Sequence, residues 1–264
     1  MESLRRWVSL ILLVFASAGC RHGEAVARPH YLIDFGGPPG ERSDFHITGH
    51  LVVFNPGNSE AHLDLILYFE DRDPLLLHQK AAPRSSTASS STGWGVPQGK
   101  RFAVELRSDV PVICQATIGW TNTGGDYDPT ARTSSPRGLR ETAKSYLSIR
   151  ELARRWRIAD GIVLDGPQNL WIRESEWALV LNPSEAPAQV SIDLYGSGWS
   201  KQHHIEVPAR RLRAVYMDDV APRNQLYGVE FNSDRPVAAQ WVREVRWYDS
   251  PEMMAYWSVP GSRD

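Results

Sequence analysis

Residues 102–115 read FAVELRSDVPVICQ, and residues 227–240 read YGVEFNSDRPVAAQ. The two stretches align without gaps at an offset of 125 and share seven of fourteen residues. The shared residues include a Ser-Asp-x-Pro motif and a final glutamine, which is Gln115 in the first stretch and Gln240 in the second. A fixed offset of this kind is the sequence signature of an internal duplication.

The repeat extends in both directions from this stretch. Asn55-Pro56 matches Asn182-Pro183 at an offset of 127, and Tyr68 then falls on Tyr195. Two further alignments place residues 31–36 on 156–161 and residues 146–149 on 256–259. We therefore divide the chain into copy one, residues 28–150, and copy two, residues 151–264.

Each copy carries the pattern of β structure. Phe102, Val104 and Leu106 alternate with more polar neighbours, which is the period of a half-buried antiparallel strand. The Asn-Pro segments lie between two apolar runs, and the Ser-Asp-x-Pro motif predicts a turn into the next strand. Short strands separated by these turn signals predict an all-β protein made of two tandem antiparallel β-sandwich domains.

Three segments are expected to depart from this pattern. The polar stretch Arg84 to Gly93 predicts a flexible loop in copy one, whereas its counterpart, Val207 to Val215, predicts an ordered strand. Thr121 to Lys144 predicts a second long surface loop, and helical signal is confined to Arg150 to Arg155.

The first 19 residues predict an export signal. Arg5 and Arg6 precede an apolar run that is too short to span a bilayer, and small residues precede Cys20. The segment resembles a bacterial lipoprotein signal, which implies cleavage before Cys20 and lipidation of that cysteine. An ordinary cleaved signal or a retained anchor are the alternatives. The resemblance implies an extracytoplasmic, membrane-anchored protein, with the outer membrane favoured because Arg21, not Asp, follows the cysteine.

Composition excludes two classes of protein. The chain has 29 basic and 31 acidic residues, 42% hydrophobic residues and 23% charged residues. This balance gives no basic footprint for nucleic acid and excludes wholesale disorder. Cys114 lies in an apolar run and has no intrachain partner once Cys20 is acylated, so we expect a buried and inert thiol.

No catalytic or metal-binding pattern is present in the sequence. His46 and His50 are four apart, but Ile47 stands where the glutamate of a zinc-protease motif would be. The carboxylate pairs have no histidine or nucleophile placed with them by a motif, namely Asp71 with Asp73 and Asp218 with Asp219. We therefore predict no enzymatic activity, no metal and no cofactor, with a cell-envelope hydrolase kept as an alternative.

Tryptophan is concentrated in copy two. Seven of the ten tryptophans lie there, and most are expected to fill the core: Trp156, Trp171, Trp177, Trp199, Trp241, Trp247 and Trp257. Trp199 follows a glycine in a predicted turn and is the best candidate for an exposed ring that stacks on a sugar or anchors a protein. The candidate binding residues are Trp199, Arg210, Arg211, Gln115 and Gln240.

Several of these short motifs resemble the sensory rhodopsin transducer family. They are Asn55-Pro56-Gly57, Ala61-His62 and residues 66–68 in copy one, and residues 207–211, Ser233-Asp234, Pro236-Val237, Gln240 and residues 156–161 in copy two. The resemblance implies a small antiparallel β-sandwich per copy that acts without catalysis, by binding a protein or a ligand. The family's founding role is docking to the cytoplasmic side of a photoreceptor, which an exported chain would not share.

The sequence therefore predicts a membrane-anchored lipoprotein with a binding or scaffolding role. Its partners are expected to be the membrane, through the N-terminal lipid, and an envelope protein or glycan of unknown identity, but no nucleic acid. A carbohydrate-binding surface protein is the alternative within the binding class, and a homo-oligomer is left open.

Overall fold

The structure is a computed structural model that describes residues 27–35, 45–96, 100–122, 140–164, 172–247 and 253–262. Within these ranges the chain forms strands and two short 3-10 turns, and no helix is long and apolar enough to cross a membrane. Copy one contains β1 (His30–Phe35), β2 (Phe45–Asn55), β3 (Ala61–Phe69), β4 (Leu75–Ala81), β5 (Ser85–Ser90), the turn η1 (Ser91–Trp94), β6 (Phe102–Ser108), β7 (Ile113–Asn122) and β8 (Arg140–Leu147). Copy two contains β9 (Ala153–Ile162), β10 (Ile172–Asn182), β11 (Ala188–Gly196), β12 (Trp199–Val207), β13 (Arg211–Tyr216), the turn η2 (Met217–Asp219), β14 (Leu226–Trp247) and β15 (Met253–Pro260).

Each copy is a sandwich of two four-stranded antiparallel sheets. In copy one the front sheet has the order β4-β3-β6-β1 and the back sheet has the order β5-β2-β7-β8. In copy two the long strand β14 serves both sheets. Its first half pairs with β9 and β11 in the front sheet, and its second half pairs with β10 and β15 in the back sheet. The predicted all-β fold of two tandem antiparallel sandwiches is confirmed.

The core of each copy lies between its two sheets. Phe102, Val104 and Leu106 are buried on the inner side of β6, opposite Phe69, Leu67 and Leu65 of β3. Cys114 lies on the inner side of β7 as a buried free thiol, as predicted. Burial raises the pKa of this thiol to about 12, which keeps it protonated and unreactive.

The shared asparagines build the same turn twice. The Asn55 carboxamide accepts the Gly57 N–H at 2.9 Å and donates to the carbonyls of Ser59 and Ala81 at 2.8 and 3.0 Å. Asn182 makes the equivalent bonds to Ser184, Ala186 and Val207. Both side chains are buried beneath an exposed turn, so these amides satisfy the inward-facing backbone groups of the turn.

The shared Ser-Asp pairs fasten one strand to the start of another. Asp109 accepts the backbone N–H of His62 at 2.8 Å, and Asp234 accepts that of Gln189 at 2.9 Å. The predicted turn separates β6 from β7 in copy one. In copy two the strand continues through this point, with a shift in register between Asn232 and Val237. The repeated asparagines and Ser-Asp pairs therefore have structural roles.

Two local predictions are wrong. The stretch from Arg84 to Gly93 is not a flexible loop, because it forms β5, which pairs with β2, and most of η1. Residues 150–155 do not form a helix, because β9 begins at Ala153 and pairs with β14. The ends of the predicted loop at Thr121 to Lys144 belong to β7 and β8, and residues 123–139 lie outside the described residues.

The strand register corrects two of the alignments. His30 lies opposite Leu106, and Trp156 lies opposite Phe231, so His30 and not Tyr31 is the counterpart of Trp156. Backbone hydrogen bonds join Tyr31 to Ile149 and Arg157 to Ser262. These bonds make Ser262 the counterpart of Ile149, whereas the sequence alignment had matched Ile149 with Val259, three residues earlier. A shift of one residue exchanges the two faces of a strand. The strand register shows which face each residue occupies, whereas a short sequence alignment does not.

Candidate functional site

The two copies pack through different faces. Five outward residues of the front sheet of copy one are buried, namely Tyr31, Ile33, Ile66, Tyr68 and Ala103. The outward residues of the back sheet of copy two are also buried, including Leu179, Leu181, Leu212, Ala238 and Val242. Contacts join β1 and β3 to β10, β13 and β14, so these two faces cover each other, and the outer strand β8 of the back sheet of copy one also contacts β15. An interface between unlike faces leaves one face of each kind uncovered.

A loop of copy one holds the edge of copy two. Glu70, between β3 and β4, accepts the backbone N–H of Ala214 on the edge strand β13 at 2.7 Å. Asp73 of the same loop pairs with Arg211 at 2.7 Å. The loop therefore supplies a carboxylate to a backbone donor that the sheet itself leaves unpaired.

A buried cation lies in this interface. The Arg101 guanidinium is 3.3 Å from Glu244 and 3.6 Å from Asp34, and its central carbon lies 4.8 Å from the centre of the Trp177 ring. All three charged side chains are buried. Buried charges of this kind are tolerated only when they are paired, so Arg101 ties the copies together.

One repeated glutamate shows how differently the two front faces are used. Glu105 is buried and accepts hydrogen bonds from the Tyr68 hydroxyl at 2.6 Å and from Arg107 at 2.7 Å. Burial and this hydrogen bond raise the pKa of Tyr68 well above its ordinary value. The counterpart of Glu105 in copy two is Glu230, which is less buried. The hydrogen bond that Glu230 accepts from Arg157 lowers the pKa of Glu230. The front face of copy two is thus a polar, open surface.

Within the described residues, the back face of copy one is uncovered and partly apolar. Ile113 is 55% exposed, Leu147 is 56% exposed and Phe54 is 36% exposed. Phe54 and Ile113 are a cross-strand pair, and Gln115 lies opposite Val52 on the same face. The register makes Phe54 and Ile113 the counterparts of Leu181 and Ala238, which are fully buried against copy one. We take this face as the candidate functional site.

The predicted glutamines do not share one surface. Gln115 lies on the open back face of copy one, whereas Gln240 lies at the equivalent place in copy two and is buried. Sequence reasoning singled out this pair by identity alone and missed Phe54, Ile113 and Leu147. The signal that could have found them is the period of two, which places Phe54 and Ile113 on the outward side of their strands.

The predicted arginines have structural partners. Arg210 has a left-handed backbone, with φ of 55°, and its N–H donates to the Ser184 carbonyl at 3.0 Å. Arg84 repeats this geometry in copy one, with φ of 50° and a bond to Gly57. Arg211 pairs with Asp73 in the interface between the copies. Neither predicted arginine is arranged as a free cationic site.

Trp199 begins strand β12, where its ring is partly buried. A Cβ added to Gly196 would lie 2.1 Å from the indole, so the ring covers that glycine. The ring also makes an edge contact with Tyr227, with ring centres 6.0 Å apart.

Cys20, the predicted lipidation site, lies outside the described residues.

A second polar cluster lies inside copy two. The carboxylate of Glu176 is fully buried and accepts hydrogen bonds from Tyr227, Trp241, Arg243 and the backbone N–H of Ile162. Burial raises the pKa of Glu176, and these hydrogen bonds oppose the rise. Because its oxygens are engaged by four donors, Glu176 is suited to hold the two sheets together and not to exchange a proton with a substrate.

Two of the carboxylates in the predicted pairs are also engaged. Asp71 pairs with Arg72 and Lys100, which lowers its pKa. Asp218 accepts the backbone N–H of Glu176 at 3.2 Å. Within the described residues, no group of three or more His, Cys, Asp or Glu side chains could hold a metal ion.

Comparison with known proteins gives a family match over most of the chain. A model of the family described as "Anabaena sensory rhodopsin transducer" matches residues 36–122 and 152–256. Two solved structures are similar to parts of the chain. The first, "Crystal Structure of Thermotoga maritima 1070", is 18% identical, covers 42% of this chain and 95% of its own, and has a TM-score of 0.38. The second, "Anabaena sensory rhodopsin transducer", is 25% identical, covers 33% of this chain and 89% of its own, and has a TM-score of 0.28. No curated protein sequence matches the chain.

Proposed function

Because the chain belongs to the Anabaena sensory rhodopsin transducer family, we propose that it is a non-enzymatic binding module, anchored to a bacterial membrane by a lipid on Cys20. It holds a protein partner through the open back face of copy one. The two family matches correspond to the two copies, and the double match supports a duplicated transducer domain.

The observation that carries this proposal is the contrast between the two back faces. The back face of copy two already binds a protein surface, which is the front face of copy one. The equivalent face of copy one has the same strand order and exposes Phe54, Ile113 and Leu147. Exposed apolar groups gathered on one face mark protein interaction sites more often than isolated ones do.

Two other functions receive less support. Carbohydrate binding through Trp199 would require a free ring face, but the indole covers Gly196 and contacts Tyr227. A hydrolase would require a carboxylate that is available to a substrate. Asp71, Asp218 and Glu176 are instead engaged by neighbouring donors.

Crosslinking in intact cells tests the binding role. A photoreactive residue replaces Ile113 on the open face, and the control carries it at Leu226, which is 66% exposed in copy two. We expect protein adducts from position 113 that are absent from position 226. Equal adducts from both positions, or none from position 113, would contradict protein binding by this face.

Fractionation tests the anchor separately. The lipid on Cys20 would supply about 0.8 kcal/mol of membrane affinity for each buried methylene group. Cys20→Ala should therefore release the protein from washed membranes, whereas Cys114→Ala should leave it bound. Stable membrane association of the Cys20→Ala protein would disprove lipid anchoring. In cells with two membranes, density-gradient separation should place the wild-type protein in the outer membrane.

A further inference from the structure

The interface between the copies shows how an edge of this fold is recognised. Strand β13 is the outer strand of its sheet, and its Ala214 N–H points away from the sheet. Glu70 of copy one accepts that N–H at 2.7 Å, and Asp73 pairs with Arg211 at the start of the same strand. The ligand of the edge is therefore an acidic loop, and the apolar residues beside it are covered at the same time.

Among the described residues, copy one presents the same edge without a ligand. Ala88 of β5 is the counterpart of Ala214, since Ala88 lies opposite Val52 and Ala214 lies opposite Leu179. The N–H of Gly49 points toward the β5 side, where it meets Ser91. Hydrogen bonding alternates along a strand, so Val52 points its N–H toward β7 and Ala88 points its N–H away from β2. Ala88 is exposed, and within the described residues no group accepts this N–H.

The chemistry of strand β5 leaves this edge unprotected. Natural edge strands are commonly blocked by charged side chains, proline or bulges. Strand β5 reads SSTASS and contains none of these, whereas β13 carries Arg211 and Arg213. The apolar pair Phe54 and Ile113 adjoins the edge, because Phe54 lies opposite Ser86 of β5.

A second copy of the chain does not supply the matching loop. The hairpin of copy two that corresponds to the loop with Glu70 and Asp73 is Tyr195-Gly196-Ser197-Gly198-Trp199, which contains no carboxylate. The front face of copy two exposes Tyr195, but it has Arg157 and Asp193 where copy one has the apolar residues Tyr31 and Ile66. Continuity with the observed interface therefore favours a different protein as the occupant.

We propose that the β5 edge and the adjoining back face of copy one bind an acidic loop of another protein. A carboxylate of that loop accepts the Ala88 N–H, and apolar residues beside it cover Phe54 and Ile113. This inference rests on the proposed binding function and specifies the chemistry of the partner.

The loop of copy one that holds β13 provides the probe. A fluorescent peptide with the sequence of residues 66–77, ILYFEDRDPLLL, and one cysteine added at each end is closed into a hairpin by oxidation to a disulfide. It is titrated against the full chain in detergent micelles. The back face of copy two is already covered by the tethered loop, whose effective concentration exceeds that of a free peptide. We expect saturable binding at one site. Replacing Glu70 by glutamine and Asp73 by asparagine in the peptide should weaken its binding about tenfold or more. Hydrogen bonds to a charged acceptor are stronger than those to a neutral one.

Variants of the protein locate the site. Ala88→Pro removes the donor, and Ile113→Asp places a negative charge against the acidic peptide, so both should abolish saturable binding. Leu226→Asp is the matched control and should bind as the wild type does. Ser85→Arg restores the counterpart of Arg211 and should tighten binding by up to about fivefold, an effect that the Asp73→Asn peptide loses.

The outcomes separate this inference from the broader function. Absence of binding at millimolar peptide, equal binding of the neutral peptide, or no response to Ser85→Arg and Ile113→Asp would overturn the acidic-loop proposal. Self-association of the chain that Ile113→Asp abolishes would also overturn it, because the occupant would be a second copy. If adducts from position 113 persist in cells while the peptide tests fail, the binding role stands and only the acidic partner is excluded.

Discussion

The two back sheets share one architecture and differ in what covers them. Leu181 and Ala238 of copy two are buried under copy one, whereas their counterparts Phe54 and Ile113 remain exposed. Both pairs point outward from the same strands of the repeat. The difference teaches that one back face forms the interface between the copies, whereas the equivalent face of the other copy is uncovered within the described residues.

The interior ends of the two sandwiches also differ. In copy one, Gly49 lies against Phe35, where an added Cβ would approach the ring to 2.5 Å, and Phe35, Trp94 and Phe102 form an aromatic cluster. In copy two the counterpart of Gly49 is Glu176, which accepts hydrogen bonds from Tyr227 and Trp241, two members of another aromatic cluster. Both ends contain aromatic rings, but only the end in copy two contains a hydrogen-bonded carboxylate.

The largest effect is expected at Glu176. Glu176→Ala would leave Tyr227, Trp241 and Arg243 without their shared acceptor, which we expect to cost about 3–5 kcal/mol of unfolding free energy. Glu176→Gln retains an acceptor and should cost less. Urea unfolding followed by tryptophan fluorescence measures both. A loss below about 1 kcal/mol for the alanine variant would show that the cluster adds little to stability.

Arg101 tests whether the copies are one cooperative unit. Arg101→Ala leaves Asp34 and Glu244 buried without their shared cation and should cost about 3 kcal/mol. The counterpart in copy two is Leu226, which is exposed, so Leu226→Ala should cost less than about 0.5 kcal/mol. Calorimetry should show the single transition of the wild type separating into two in Arg101→Ala. Equal effects of the two variants would contradict a structural role of the buried cation.

Acid should weaken copy one through His30. Its side chain is buried, and burial together with the charge of Arg150 lowers its pKa to about 4. The unfolded chain has an ordinary histidine pKa of about 6.5, so stability is full above that pH and is lost as the pH falls toward 4. Between pH 7 and pH 5 the loss is about 2 kcal/mol.

The counterpart in copy two, Trp156, does not titrate. His30→Phe should therefore remove this step and leave the background from carboxylates shared by both proteins. Unfolding free energies of the two proteins, compared at pH 7 and pH 5, isolate the contribution. An identical pH dependence would show that His30 is protonated without cost.

The fold could be predicted because the residues that form its turns act locally. Asn55 hydrogen-bonds to residues two and four positions away, so its turn is encoded within a few residues. Strand β5 could not be predicted in this way. Its serines have no β preference, and its order comes from pairing with β2.

The candidate site was less predictable than the fold. The period of two places Phe54 and Leu181 on outward faces, but exposure depends on which face the other copy covers. That choice depends on contacts such as Arg101 with Glu244, which are far apart in sequence and belong to no motif. The repeat identified Gln115 and Gln240 as equivalent, and packing then gave them different surroundings.

The smallest effect on stability is expected on the open face. Ile113→Thr keeps a β-branched side chain at an exposed position and should change the unfolding free energy by less than about 0.5 kcal/mol. Ala238→Ser, at the equivalent buried position, places a hydroxyl in the interface and should cost about 1–3 kcal/mol. Unfolding at two protein concentrations measures both. If Ile113→Thr costs as much as Ala238→Ser, and only at the higher concentration, a second copy covers Ile113 in solution. The two back faces would then be alike in being covered, and the contrast that supports a separate partner would be lost.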